Sequence, residues 1–71
     1  MRKYYDNEAV IKCTDNGKQV TASVIDFIPE VYLVVNVNTV SVNLQFVSKF
    51  DHYVGSMAGM EFISTGPKQL G

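Results

Sequence analysis

The sequence predicts an all-β fold, a small five-stranded, strongly bent barrel, within 71 residues. Three observations carry this expectation. Apolar and polar residues alternate with a period of two in several short runs, as in half-buried strands. Residues that favour turns separate those runs at short intervals. No segment carries a strong helical signal.

The first run is Ala9 to Cys13, in which Ala9, Ile11 and Cys13 alternate with Val10 and Lys12. Asp15-Asn16-Gly17 ends it, and Asn-Gly is a strong hairpin signal. In the second run Val20, Ala22 and Val24 face one way, and Thr21, Ser23 and Ile25 the other. Pro29 cannot donate to a ladder, so that strand must end or bend near Ile28. The sharpest corner of the barrel is therefore placed at Phe27 to Glu30. Val31 to Val35 is nearly continuous in apolar residues and is expected to be buried on both faces, with Asn36-Val37-Asn38 as the following turn.

The fourth strand, Val40 to Val47, has the clearest single buried face: Val40, Val42, Leu44 and Phe46 alternate with Ser41, Asn43 and Gln45. Ser48 to His52 is a polar interruption before Tyr53-Val54-Gly55, and Gly59 precedes the last strand, Met60 to Ser64. Gly55 and Gly59 are read as permitting a turn and a close backbone approach. Residues 1–66 form one domain and residues 67–71 a short tail. The first seven residues are expected to make one helical turn or to stay loose.

A chain this short buries only about 60% of its unfolded surface, so a lone monomer is marginal and oligomerisation is the expected source of stability. No stretch reaches the roughly 20 apolar residues that cross a membrane, and no apolar signal-peptide core follows the basic pair near the start. The single cysteine, Cys13, rules out an internal disulfide and fits a reducing compartment. With one histidine and one cysteine, a zinc site within one chain is not expected, nor is any cofactor. Six Lys/Arg stand against seven Asp/Glu with no basic stripe, so the positive footprint of tight nucleic-acid binding is missing.

Around the corner the residues resemble the Sm, LSm and Hfq-like family. That family's first motif ends a strand in Phe-Asp, and after two residues resumes with a Met-Asn-Leu-like strand. Phe27, Val31, Leu33 and Val35 fall in register with it. Tyr53 to Ile63 is similar to a degenerate copy of the second motif, a glycine and an Arg-Gly pair before an apolar strand. The likeness spans roughly residues 8 to 64, and within the family it is greatest to divergent, unassigned Sm-like proteins attributed to marine phages. It implies a homo-oligomeric ring, pentamer to heptamer, in the cytoplasm of a bacterial host. In such a ring the fourth strand of one subunit pairs with the fifth of its neighbour. Val42, Leu44, Phe46, Met60, Phe62 and Ile63 would lie along that contact.

The resemblance also implies a uridine pocket, but its residues are replaced. The family's Asp, Asn and Arg correspond to Ile28, Tyr32 and Ala58, and Glu30 stands at the stacking position. Single-stranded RNA, if bound, would then rely on stacking by Tyr32 with phosphate contacts from Lys18 or Lys49. The alternative for Tyr32 is packing in the barrel or at a subunit contact. Tyr4 and Tyr5 beside Arg2 and Lys3 form the one basic-aromatic cluster, read as an arm or a packed terminal segment. His52 beside Asp51 lacks a nucleophile at a recognisable spacing, Cys13 reads as an inert buried thiol, and nothing indicates an enzyme.

The function expected is thus a non-enzymatic ring-forming protein with weak RNA binding. A structural or protein-interaction module of phage origin without nucleic-acid ligand is the alternative. A third reading, resemblance to PilZ-like cyclic-dinucleotide sensors, rests on Arg2-Lys3, Asp26 and the closing AGMEFIS. It requires Ser at Ile28 and Gly at Val31, and both are absent.

Overall fold

Six antiparallel strands follow one another round a closed barrel in the computed structural model, which describes residues 5–70. They are β1 (Glu8–Cys13), β2 (Gln19–Ile28), β3 (Tyr32–Val37), β4 (Val40–Val47), β5 (His52–Met57) and β6 (Met60–Ser64). Each strand pairs with the next, and β1 pairs with β6 to complete the wall. No helix occurs among the described residues, so none there is long and apolar enough to cross a membrane.

The expected barrel is present with one strand more than five. The added strand is β5, which the sequence hides. His52, Val54 and Ser56 alternate with the inward Tyr53, but Gly55 breaks the pattern. A Cβ on Gly55 would lie 2.2 Å from the carbonyl oxygen of Asn43, so β4 and β5 approach more closely than any side chain allows.

A closed wall has one inside, and that fixes the core. Ile11, Leu33, Val35 and Leu44 are fully buried, with Val42, Ala9, Ala22, Cys13, Tyr53 and Phe62 around them. Removing each large aliphatic side chain from water contributes about 1.5–3 kcal/mol. β3 is accordingly buried on one face, Leu33 and Val35, while Tyr32 and Val34 are half-buried and Val31 is exposed. The expectation of burial on both faces fails because the second face is the outer wall.

The bend in β2 lies earlier than Phe27. Between Val24 and Asp26 the register against β3 shifts, and Ile25 is the extra residue of a β-bulge. Phe27 and Ile28 remain in the ladder, paired with Leu33 and Tyr32. The Pro29 break is a tight hairpin turn. Pro29 takes its first central position, Glu30 its second with φ +61°, and Val31 N–H donates to Ile28 O at 3.0 Å. That is the type II pattern.

The other connections follow similar rules. Asn38-Thr39 and Ala58-Gly59 are two-residue turns with positive φ at both positions, the type I′ geometry that matches strand twist. The turn after β3 is therefore Asn38-Thr39 and not Asn36-Val37-Asn38, because β3 keeps pairing as far as Val37. Gly17, at φ +72°, lies in the five-residue loop between β1 and β2, where its N–H donates to Cys13 O at 2.8 Å.

The segment expected to be a tail is tied down. Asp6 N–H donates to Lys68 O at 2.8 Å, Tyr5 and Gln69 form a bridge, and Pro67 is buried. Tyr5 to Asn7 form no helical turn; residues 1–4, with the rest of that expectation and the Arg2-Lys3-Tyr4 part of the basic-aromatic cluster, lie outside the described residues.

Two substitutions test this account in urea denaturation. Gly55→Ala forces β4 and β5 apart and should cost about 1–3 kcal/mol. Thr39→Gly relieves a β-branched residue held at φ +66° and should raise stability by about 1 kcal/mol. An unchanged midpoint for Gly55→Ala would remove close approach as the reason for the glycine.

Candidate functional site

Antiparallel strands deliver their turns alternately to two ends of the barrel. The loops after β1, β3 and β5 lie at one end, and those after β2 and β4 at the other, with the chain termini. Lys18, in the loop before β2, is thereby at the opposite end from Tyr32 and Lys49. Of the two lysines offered as phosphate contacts, Lys18 is therefore remote from Tyr32. Tyr32 begins β3 and Lys49 lies in the loop after β4, so only these two share an end.

Tyr32 faces outward and is half-buried, not part of the core. Its hydroxyl donates to Asp26 Oδ2 at 2.6 Å, and Asp26 Oδ1 accepts the Phe27 N–H at 2.9 Å. The pairing of Ile28 with Tyr32 and of Asp26 with Val34 puts both partners on the outer face. The phenol pKa is raised, first by this hydrogen bond, then by lost hydration and the carboxylate's charge. A base stacked here would sit beside an anion.

The end is organised from beneath by aromatic packing. Tyr53 is buried, and its hydroxyl accepts the Glu30 N–H at 2.9 Å, fixing the β2–β3 turn. Phe27 meets Tyr53 edge-on at 5.6 Å and Tyr5 at 4.9 Å, and Phe46 lies 5.1 Å from Tyr53. Phe46 N–H donates to Val31 O at 3.0 Å, linking the same turn to β4. On this base stand three exposed apolar side chains: Phe50 (57% exposed), Val31 (53%) and Ile28 (44%). Phe50 stacks on His52 at 5.7 Å, and Lys49 Nζ lies 6.0 Å from the Phe50 centroid. Glu30 and Asp51 are exposed in the same two turns.

Phe50 escaped the sequence reading because it stands in a polar interruption and belongs to no alternating run. Its signal was its isolation, a large aromatic between Lys49 and Asp51. His52 is an outward residue of β5 beside Phe50, and Cys13 is buried with its thiol donating to Met60 Sδ at 3.9 Å. No group of three or more His, Cys, Asp or Glu side chains gathers as a metal site among the described residues.

The residues expected at a subunit contact fall into two sets. Val42, Leu44 and Phe62 are core side chains, closed to a partner because they fill the barrel. Phe46 and Met60 are half-buried against that core, and Ile63 is half-buried on the outer wall. Edge exchange would need ladders already used within the chain: β4 pairs with β5 at Gln45–Val47, and β6 with β1 at Phe62–Ser64.

Asp26→Asn should lower the Tyr32 phenol pKa towards its ordinary value near 10, read by ultraviolet titration of the phenolate. The folded-state value is raised, so the contact stabilises the fold below the ordinary phenol range. That contribution is lost as pH rises through the raised value. An unchanged titration would exclude Asp26 as the cause.

Comparison with protein-family models, with curated proteins and with solved structures returns no match, so the functional reading rests on the geometry of this chain.

Proposed function

We propose that this barrel is a non-enzymatic protein-interaction module that docks a partner protein on the end formed by its β2–β3 and β4–β5 turns. One observation carries the proposal. Phe50, Val31 and Ile28 are each exposed at the end beneath which Tyr53 packs on Phe27 and Phe46. Large apolar side chains exposed at one end favour a protein surface, with aromatic residues as the usual anchors. Glu30 and Asp51 rim this end and disfavour phosphate, and the net charge of −1 offers no general attraction for nucleic acid.

RNA binding at the same end would require stacking on Phe50 or Tyr32 with Lys49 as the phosphate contact. Tyr32 is instead held against Asp26, which weighs the reading towards protein.

A photo-crosslinking amino acid at position 50 tests the proposal in cell extract. The expected product is protease-sensitive, resists ribonuclease, and disappears when Ile28 and Val31 are replaced by serine. Labelled oligouridine and oligoadenine provide the opposing arm by fluorescence anisotropy at low salt. RNA binding below about 100 micromolar that is lost in Phe50→Ser would replace the protein reading with the RNA one, since loss of stacking removes about 1–3 kcal/mol per base. Sedimentation of the unmutated protein at micromolar concentration should give the mass of one chain, because each copy closes its own barrel. A pentamer-to-heptamer mass would instead support edge exchange and a ring.

A further inference from the structure

A second surface feature lies on the outer wall along β1 and reaches the Phe50 end at His52. β6 pairs with β1 only at Ile11, Lys12 and Cys13. Past Ser64 the chain diverges from β1: the Ser64 hydroxyl donates to Val10 O at 2.8 Å, and Gly66 N–H donates back to Ser64 Oγ at 3.0 Å. The chain rejoins the other terminus only at Lys68, whose carbonyl accepts from Asp6. Between these points Glu8 to Val10 run beside a trough of about 530 Å³, bounded by Asp6 and Glu8 on one side and Thr65 to Lys68 on the other. A smaller hollow of about 170 Å³, lined by Lys12, Gln19, His52 and Ile63, adjoins it at Val10 and Thr65, which line both.

The strand arranges its chemistry. β1 buries every second residue, so Glu8, Val10 and Lys12 form one outward row of acid, apolar and base. Val10 is 51% exposed, although it lies mid-strand in a closed barrel. At the acidic end Asp6 joins Glu8, with Lys68 facing them; at the basic end His52 joins Lys12. Glu61, the next outward side chain of β6, has its Oε1 occupied by the Thr14 hydroxyl at 3.2 Å.

We infer that this trough binds an extended peptide of a partner protein, with a basic side chain at the Asp6–Glu8 end, an apolar one over Val10, and an acidic one at the Lys12–His52 end. The length fits: Glu8 to Lys12 spans about 13 Å, the distance between residues i and i+4 of an extended chain. The size fits a pocket for four or five residues. The outward row is also self-complementary across a two-fold axis, but two concave troughs face to face leave a void, whereas a single strand fills one. Glu8 to Val10 stay paired with β2, Val10 O already accepts from Ser64 and Glu8 N–H donates to Asp6 Oδ1, so the peptide is held chiefly through its side chains.

The probes are acetylated, amidated heptapeptides Thr-Lys-Ser-Val-Ser-Glu-Thr, its Lys/Lys and Glu/Glu counterparts, and a neutral Ser/Ser version. They are titrated into the 15N-labelled protein and followed by NMR. Saturable shifts at Glu8, Val10, Lys12 and Thr65 are expected, with the Lys/Glu peptide bound roughly two- to fivefold more tightly than either like-charged one. Lys12→Glu makes both ends acidic and should transfer that preference to the Lys/Lys peptide. His52→Glu should move it the same way if Lys12→Glu disturbs the fold. Absence of shifts at millimolar peptide, or equal affinity for all four, overturns the inference. So does concentration-dependent shifting of the same residues without peptide, which would make the occupant a second copy of the chain.

Discussion

Closing six short strands into one ring is the constraint on which everything else depends. Only three residue pairs join β1 to β6, and those pairs turn a sheet with two loose edges into a wall with none. Closure demands curvature, and two local devices provide it. The extra residue at Ile25 bends β2, and the bare backbone of Gly55 lets β5 lie against β4. The inside then holds a single layer of side chains. Ile11, Leu33, Val35, Val42 and Leu44 are its largest fully buried members, and Tyr53, Phe62 and the small Ala9, Ala22 and Cys13 complete it.

That economy determines where binding chemistry can reside. Every inward position is committed to packing, so a ligand can meet only turns, outward rows and places where the ladder stops early. Both surfaces described here are of that kind. The Phe50 end is made of turns stiffened from below by aromatic rings, and the β1 trough opens where β6 leaves its neighbour. The Tyr53 hydroxyl connects interior to surface, because the ring it completes in the core also holds the Glu30 amide. The aromatic core and the outer turn are thus mechanically coupled.

Much of this was legible in the residues. The alternation from Val40 to Phe46, the Pro29 break and the Gly59 turn are local patterns, and each element appears where its pattern stands. What was hidden depends on contacts distant in sequence. The status of β5 turns on Asn43 approaching Gly55, and the bulge at Ile25 on register against β3. The site residues fared worse for the same reason. Lys18 and Lys49 look equivalent along the chain, but the meander sends their loops to opposite ends. Val42, Leu44 and Phe62 read as an apolar edge, whereas closure makes them interior. Phe50 and the acid–apolar–base row of β1 carry no periodic signal of their own, and their meaning emerges only from what surrounds them.

The bridge between Tyr5 and Gln69, with Asp6 bonded to Lys68, brings the two ends of the described chain to one spot on the wall. Topologically the barrel is then a loop that happens to be open at that point. A short linker could seal it there, and a new opening could be made in the Asn38-Thr39 turn without cutting a ladder. By the same geometry the whole unit could be spliced into a surface turn of another protein, since its entry and exit demand almost no separation. A barrel with adjacent ends is a portable one.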